Sequence, residues 1–516
     1  MSERVHRSVV NIKVGMLFYM LSLFLAFFSR KIFLDNLGAE FIGLTSMLMN
    51  IMNFLSVAEL GIGGSIVYFL YKPLQEDDHE KINEIVSMLA FLYRCIGGVI
   101  AICGFVISLF FPWWFCNLST SLPLIYFSFY SFLISSVAGY IFNYKQLLVG
   151  ANQKQYLVNV YFQTIDIVQS LVQIFLAYYY RNLWLWVTTG LVFTIIGIIL
   201  FNYRIRQLYP WLHINLDTGR KRLKYFPEIL QKTRQIFIQK TKNFLLYQSD
   251  EILIGAFVSV VQVAYYGCYT VITNKLNFLV NILSDGMIAG VGNLVAEGND
   301  NNTIKVFWEL TAIRFFIVGI VVYGLTLFLQ AFVTLWFGGQ YRLSDLTIYL
   351  LILNIFIMLS RGVVEIFLSA HGLFSDVWAA WLELVLNISI SLCLAPLYGI
   401  TGILLGKILS VFFIGLFWKP YFLFSQGLKK KVAIYWKGMT PYYIIFIFFL
   451  SISIFLRYSV IEAQATTLPL MIGYGLLVYP PLVLLYFLVL FYLTHGMQYF
   501  VVRKPAIFHV LKFKSK

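Results

Sequence analysis

Polar side chains recur at helical spacing inside otherwise apolar stretches of this sequence. Between residues 156 and 180 they stand at steps of four, three, four and three residues, which places them on one face of a helix. The members of this stripe are Asn159, Gln163, Asp166, Ser170 and Gln173. Amides, hydroxyls and a carboxylate on one face can hydrogen-bond to a polar solute in a water-filled cavity or to a neighbouring helix.

Three other apolar stretches carry similar stripes. They consist of Ser46, Asn50 and Asn53; of Thr270, Asn274, Asn277, Asn281 and Ser284; and of Glu383, Asn387 and Ser391. A helix that faces lipid should be apolar all round, and a dry helical bundle has little need of four extended polar faces. We therefore predict that the stripes line a hydrated cavity, with interhelical hydrogen bonding as the alternative.

Charged side chains in the same apolar stretches are candidates for substrate binding. Each costs at least about 2.5–3.5 kcal/mol at the centre of a membrane, so it is rarely left facing lipid. The candidate site residues, polar and charged together, are Arg30, Lys31, Glu59, Asp166, Lys240, Lys242, Asp250, Asn274, Lys275, Asn277, Arg314 and Glu383. Lys240, Lys242 and Arg314 have an alternative interpretation, in which their long side chains extend to a membrane interface. Arg361 and Glu365 stand four residues apart and are predicted to pair.

The elements that must position these side chains follow from the composition. The chain has 516 residues, of which 60% are apolar and only 12% are charged, with a mean hydropathy of +0.81. A soluble fold would have too few polar residues to cover its surface, so we predict an all-α integral membrane protein with about fourteen transmembrane helices. The spans are predicted at 11–34, 41–71, 86–111, 122–149, 156–180, 183–203, 236–258, 264–292, 304–329, 346–370, 374–395, 398–424, 440–457 and 468–494.

The basic residues predict the orientation. Of the 38 Lys and Arg residues, 26 lie in the termini and loops on one side of the predicted spans, against 5 on the other side. Cytoplasmic loops carry such an excess, so both termini are predicted to be cytoplasmic. The net charge of +15 then reflects topology, and we expect membrane lipids rather than nucleic acid as partners. The basic C-terminal tail is expected to rest on anionic headgroups.

An internal repeat indicates two related halves. Asn50 aligns with Asn274 at an offset of 224 residues, and the offset drifts slightly by the point where Asp166 meets Glu383. The predicted domains are a six-helix lobe at 1–203, a basic cytoplasmic linker at 204–235, a second six-helix lobe at 236–424, and two extra helices with a basic tail at 425–516. Because six is even, the lobes are related by a pseudo-twofold axis along the membrane normal, and transporters of this kind bind substrate between their halves.

One pair of aligned positions carries opposite charge. With a small gap, Arg30 and Lys31 align with Asp250 and Glu251. These residues could close a gate by pairing, could divide the binding of an anionic substrate group and a cation, or could all be interfacial anchors.

No catalytic constellation is present in the sequence. The six histidines do not cluster, the five cysteines have no metal-ligand spacing, and there is no nucleophile motif. We predict that the chain is not an enzyme and has no bound cofactor, although a coupling cation, H+ or Na+, is possible.

Several short runs resemble a known family. They are NIKVG at 11–15, RKIFL at 30–34, LGAEFIGL at 37–44, ELGIG at 59–63, YKPL at 71–74, and in the second half DEILIG at 250–255 and YYG at 265–267. These runs are similar to those of bacterial polysaccharide-biosynthesis flippases of the O-antigen type, within the multidrug/oligosaccharidyl-lipid/polysaccharide exporter superfamily. The similarity is sharpest over residues 9–84, and beyond about residue 300 it rests mainly on the number of spans.

This resemblance implies two six-helix lobes around a central cavity and a location in the bacterial inner membrane. It also implies that the chain moves an undecaprenyl-diphosphate-linked oligosaccharide to the periplasmic leaflet by alternating access, with polysaccharide assembly proteins as candidate partners. Cations suit the diphosphate, and the motif match assigns this role first to Arg30. The alternatives are a cation-coupled drug antiporter of the same superfamily, which would favour an acidic cavity, and a membrane glycan polymerase or ligase, which would need a long periplasmic loop.

Overall fold

The chain is an all-α membrane protein. The computed structural model describes residues 3–59, 62–152, 154–222, 249–373 and 375–503. Within these residues there is no strand, and eleven helices are long and apolar enough to cross a membrane. Described helices overlap every predicted span, although most of the seventh, at 236–258, lies outside the described residues.

The chain divides into two compact units, unit 1 at Met1–Gly267 and unit 2 at Cys268–Lys516. The boundary falls later than the one predicted between linker and second lobe, because residues 250–267 pack with the first part of the chain. The predicted four-part domain organisation stays a prediction.

Two of the predicted spans of unit 1 are each divided into two shorter helices. The helices of unit 1 are α1 (Glu3–Leu37), α2 (Ala39–Leu55), α3 (Ile62–Gln75), α4 (His79–Ser108), α5 (Phe111–Trp114), α6 (Leu122–Asn143), α7 (Gln146–Ala151), α8 (Gln155–Tyr179), α9 (Leu183–Leu208), α10 (Leu216–Arg222), α11 (Asp250–Phe257) and the start of α12 (Val260–Ala296). The prediction of one continuous second span at 41–71 is therefore wrong, because a 3₁₀ turn at Ser56–Glu59 separates α2 from α3. The predicted fourth span is likewise interrupted, at Tyr144–Lys145.

The core of unit 1 is built by α2, α3, α4, α6, α7 and α9. Leu48, Leu70, Leu89 and Phe129 are fully buried in it. Burying such side chains contributes about 1.5–3 kcal/mol each in water, but lipid is itself apolar, so packing and hydrogen bonds carry more of the stability within a bilayer.

The segment 209–222 after α9 folds back onto the start of α4. The rings of Trp211 and His79 stack with centroids 3.8 Å apart, and Asn83 Nδ2 donates to the Trp211 carbonyl oxygen at 3.3 Å. A Cβ on Gly219 would overlap the Ser87 carbonyl, so this close approach requires glycine. The first part of the predicted linker is thus an ordered strap.

Unit 2 is arranged around one long helix. Its helices are the rest of α12, then α13 (Asp300–Trp336), α14 (Asp345–Ser360), α15 (Gly362–Ala370), α16 (Val377–Tyr398), α17 (Ile400–Val411), α18 (Lys419–Phe422), α19 (Val432–Leu456), α20 (Glu462–Gln464), α21 (Leu468–Leu493) and α22 (His495–Arg503). Stretches of π-helix at Phe412–Trp418 and Arg457–Ile461 extend α17 and α19. Helix α13 packs against α14, α19, α21 and α22.

Both ends of the last helices are tied to the rest of unit 2 by ion pairs. At one end the fully buried Arg457 pairs with Asp345 at 2.6 Å and with Glu462 at 2.8 Å. At the other end Arg503 pairs at 3.1 Å with Glu309, which is only 4% exposed. These contacts fix α19, α21 and α22 against α13 and α14.

Candidate functional site

Arg30 reaches from the last part of α1 to the start of α12. Its Nη2 donates a hydrogen bond to the Ala264 carbonyl oxygen at 2.9 Å. A Cβ atom on Gly267 would overlap the guanidinium, so this position of Arg30 requires glycine there. Arg30 Nε is buried and has no hydrogen-bond partner in the described part of the chain. The backbone therefore holds the guanidinium in place, and N–H groups of Arg30 remain available to donate to another acceptor.

The acidic residues that align with Arg30 and Lys31 in the repeat lie near Arg30 in unit 1. Asp250 is 5% exposed and accepts a hydrogen bond from the Tyr266 hydroxyl at 3.0 Å. Glu251 accepts from Asn50 Nδ2 at 2.7 Å and lies within electrostatic range of Arg30. The structure thus brings together one cation, two carboxylates and one amide from the sequence-selected residues.

Glu59 stands at the end of the 3₁₀ turn that interrupts the second span. Its carboxylate accepts a hydrogen bond from the hydroxyl of Tyr93 and lies within electrostatic range of Tyr140, whose ring is 5.8 Å from that of Tyr93. A carboxylate beside two phenols at a break in a membrane helix can bind a proton or a cation.

The α8 stripe is mostly unburied. Gln173 is buried and donates to the Trp186 carbonyl oxygen on α9 at 3.0 Å. Asp166, near the middle of the helix, is exposed and forms no hydrogen bond or ion pair with any described residue. This charge is therefore left for water, a solute or a counter-ion.

The matching acid of unit 2 has the opposite environment. Glu383 on α16 is fully buried, and its Oε1 lies 3.2 Å from Arg361 Nη1. Arg361 also pairs with Glu365 at 3.0 Å, which confirms the predicted pair. Arg361 stands between α14 and α15, at the interruption of the predicted tenth span.

The rest of the α16 stripe joins two helices. Ser391 Oγ lies 3.3 Å from Asn387 Oδ1 and 3.2 Å from the Ile403 carbonyl oxygen on α17, and it can donate to either. A Cβ on Gly406 would overlap Ser391 Oγ, so α16 and α17 are in close contact. This stripe matches the alternative interpretation, in which polar residues hydrogen-bond between helices.

The α12 stripe is more open. Asn274 and Asn281 are exposed, and Lys275 is half-buried. The Oδ1 atom of Asn277 is buried and accepts no hydrogen bond from the residues described. This face offers amides to a polar solute.

The remaining candidates have backbone or local partners. Arg314 is 5% exposed, and its guanidinium donates to the carbonyl oxygens of Leu359 at 2.7 Å and Val280 at 3.3 Å. Lys31 pairs with Asp35 at 3.4 Å at the surface. Arg314 therefore supports unit 2, and Lys31 has a local role.

Three predicted positions lie outside the described residues. They are Lys240, Lys242 and the side chain of Ser284. Nothing structural is added to the sequence prediction for these positions.

The sequence analysis missed one cluster of cations in unit 1. Lys145, at the interruption between α6 and α7, donates to Asn202 Oδ1 on α9 at 3.1 Å. It lies within electrostatic range of Arg206, one turn further along α9. Both cations are predicted from the sequence as loop residues, which indicate topology only. The signal that could have found them is the alignment of this region with the one around Arg361 in the repeat.

A metal site is not apparent in the described ranges. No group of three or more His, Cys, Asp or Glu side chains among the searched residues could hold a metal ion.

The fold is shared with solved membrane transporters. One structure, described as the inward-facing conformation of a multidrug resistance MATE family transporter of the MOP superfamily, is 15% identical with a TM-score of 0.59, covering 80% of this chain and 97% of its own. The lipid II flippase MurJ in an inward closed conformation is 14% identical with a TM-score of 0.65, covering 97% of this chain and 99% of its own. A MATE structure in complex with MaD3S is 15% identical with a TM-score of 0.51, covering 82% and 96%.

These likenesses establish the fold. No family model matches the chain, and no curated protein matches it in sequence. The first of these structures is described as a member of the MOP superfamily, the superfamily that the sequence runs resemble.

Proposed function

We propose that this chain is a flippase that moves an undecaprenyl-diphosphate-linked oligosaccharide from the cytoplasmic to the periplasmic leaflet. It would act by alternating access in the bacterial inner membrane, with both termini in the cytoplasm. The transported glycan would serve cell-surface polysaccharide biosynthesis, and polysaccharide assembly proteins would be its partners.

The observation that carries this proposal is the extent of the likeness. The structure of a lipid II flippase covers 97% of this chain, whereas the two MATE structures cover 80% and 82%. The difference is close in size to residues 425–516, which hold the last two spans. These spans are integral parts of unit 2, since ion pairs tie them in at both ends.

The chemistry of the exposed and half-buried polar residues supports the same substrate class. Arg30 keeps donors beyond its bond to Ala264, and such donors suit a diphosphate. The open amides Asn274 and Asn281 suit sugar hydroxyls. No cofactor is part of this proposal, and a gradient of H+ or Na+ would supply the energy.

A cation-coupled drug antiporter is the second candidate. It is favoured by the exposed Asp166 carboxylate on α8, which could attract a cationic drug, and by the likeness to multidrug transporters.

The test is a leaflet-exchange assay. The purified protein is placed in proteoliposomes with a fluorescent disaccharide on undecaprenyl diphosphate, and a membrane-impermeant quencher reports the fraction in the outer leaflet. Flippase activity makes the inner-leaflet pool quenchable, and Arg30→Gln abolishes this exchange although the variant still inserts. No exchange by the wild type, together with drug resistance on expression, would replace the flippase by the antiporter.

A further inference from the structure

The cluster of Lys145, Asn202 and Arg206 lies near the end of α9, where the basic linker begins. Asn202 Nδ2 donates to the Ile198 carbonyl oxygen at 2.9 Å, which directs its Oδ1 to Lys145 Nζ. Lys145 is half-buried and Arg206 is exposed. Asn202 is therefore a positioning residue, and the two cations carry the charge.

The cluster has no internal counter-ion. Lys145 and Arg206 form no ion pair with any carboxylate of the described residues, and Arg206 donates no hydrogen bond there. Arg94 adds a third cation within electrostatic range of Tyr144, the residue before Lys145. Like charges held near one another in a partly dehydrated place repel, and an anion that binds between them relieves the repulsion.

The equivalent place in unit 2 shows that this imbalance is not required by the fold. There the cation at the helix interruption, Arg361, is paired with Glu365 and Glu383. In unit 1 the hydrogen-bond partner of the cation at the interruption is instead a neutral amide, Asn202.

The surroundings hold the cluster in place. Asn152 Nδ2 donates to the Tyr209 hydroxyl at 3.0 Å, which links the end of α7 to the strap. Lys154 Nζ lies 5.9 Å from the centre of the Tyr209 ring. The segments that carry the two cations are thus held together by these contacts.

We propose that Lys145 and Arg206 form an intake site for the diphosphate of the lipid-linked substrate on the predicted cytoplasmic face. This inference rests on the proposed function for the identity of the ligand. Lys145 Nζ supplies a point charge with two unused donors, and the Arg206 guanidinium supplies a planar fork for phosphate oxygens. The α9 face that carries Asn202 and Arg206 lets the headgroup bind to both at once.

The experiment measures binding separately from transport. Wild-type protein in nanodiscs of zwitterionic lipid is titrated with undecaprenyl diphosphate, and a second titration uses discs that contain phosphatidylglycerol. We expect the double variant Lys145→Gln, Arg206→Gln to bind at least about tenfold more weakly, because two charge-assisted contacts are lost. The matched control Arg220→Gln, Lys221→Gln removes two exposed cations from the basic linker and should bind as the wild type does.

Two results would overturn the site. One is unchanged affinity of the double variant, and the other is displacement of the diphosphate by phosphatidylglycerol, which would make the cluster a contact for bulk headgroups. Wild-type affinity of the variant Lys145→Arg would show that the loss in the double variant reflects charge and not folding. If the wild type binds the diphosphate at this site but exchanges no lipid, the flippase proposal fails and the site stands. If the wild type exchanges lipid but the double variant keeps its affinity, the site fails and the flippase proposal stands.

Discussion

The two units treat the same charge pattern in opposite ways. In unit 2 the cation at the helix interruption, Arg361, is buried and paired with the buried acid of the following span, Glu383. In unit 1 Lys145 bonds to an amide of α9, and the matching acid Asp166 stays exposed and unpaired within the described residues. At this place unit 2 pairs its cation with carboxylates, whereas in unit 1 the cation and the acid have no charged partner among the described residues.

This contrast separates structural from functional charges in the membrane. A buried pair that loses one member leaves an uncompensated charge in an apolar place. An exposed charge that is lost costs little stability, and its effect falls on ligands. Stability and binding measurements on matched positions of the two units should therefore diverge.

The largest expected effect is on Glu383. Changing Glu383→Ala removes a buried carboxylate partner of the buried Arg361, and we expect a loss of about 3 kcal/mol. The measurement is thermal unfolding of the detergent-purified protein. The double variant Glu383→Ala, Arg361→Met should recover most of the loss, and an unchanged melting temperature of the single variant would contradict the buried pair.

Gly267→Ala should have the next largest effect. The added methyl group displaces the Arg30 guanidinium from its place beside Ala264, which costs about 1–3 kcal/mol. The same unfolding measurement applies, with Gly290→Ala, where a methyl group meets nothing, as the control. In an Arg30→Ala background Gly267→Ala should be close to neutral, and equal losses in both backgrounds would disprove the overlap.

Asn202→Asp gives Lys145 a carboxylate partner, as Arg361 has in unit 2. The new carboxylate lies beside Lys145, so stability should rise by about 0.5–1 kcal/mol. Binding of undecaprenyl diphosphate should weaken at the same time, since the cluster acquires its own counter-ion. Gln207→Glu changes the net charge equally at the end of α9 and serves as the control. Tighter binding of the diphosphate by Asn202→Asp would contradict the role of Lys145 as an unpaired cation.

Asp166→Asn should have the smallest effect on stability, below about 0.5 kcal/mol, because its carboxylate has no partner among the described residues. The unfolding measurement is compared directly with that of Glu383→Ala. A loss as large as that of the Glu383 variant would mean that Asp166 is a structural charge after all.

The sequence predicted the fold class and most spans because long apolar runs leave few alternatives in lipid. It also selected Arg30, Asn50, Asp250 and Glu251, which lie together in unit 1. Spacing alone could not distinguish a polar stripe that faces a neighbouring helix from one that is open. Glu383, Asn387 and Ser391 are in the first class, and Asn274 is in the second.

The interruptions at Ser56–Glu59 and at Tyr144–Lys145 were missed for a physical reason. Neither is marked by proline, and both lie in apolar runs long enough for a continuous helix. Tertiary hydrogen bonds from Tyr93 to Glu59 and from Lys145 to Asn202 accompany these breaks. Those partners are distant in sequence, so no local sequence pattern predicts these hydrogen bonds.

The ion pairs at the two ends of α13 and α14 make the last two spans difficult to discard. A chain shortened before α19 would strand the carboxylate of Glu309 inside the protein and remove the strongest partner of Asp345. A viable twelve-helix relative would need compensating changes at both acids in the same step. The length of this chain is thus constrained by electrostatics at residues that precede the truncation by more than eighty positions.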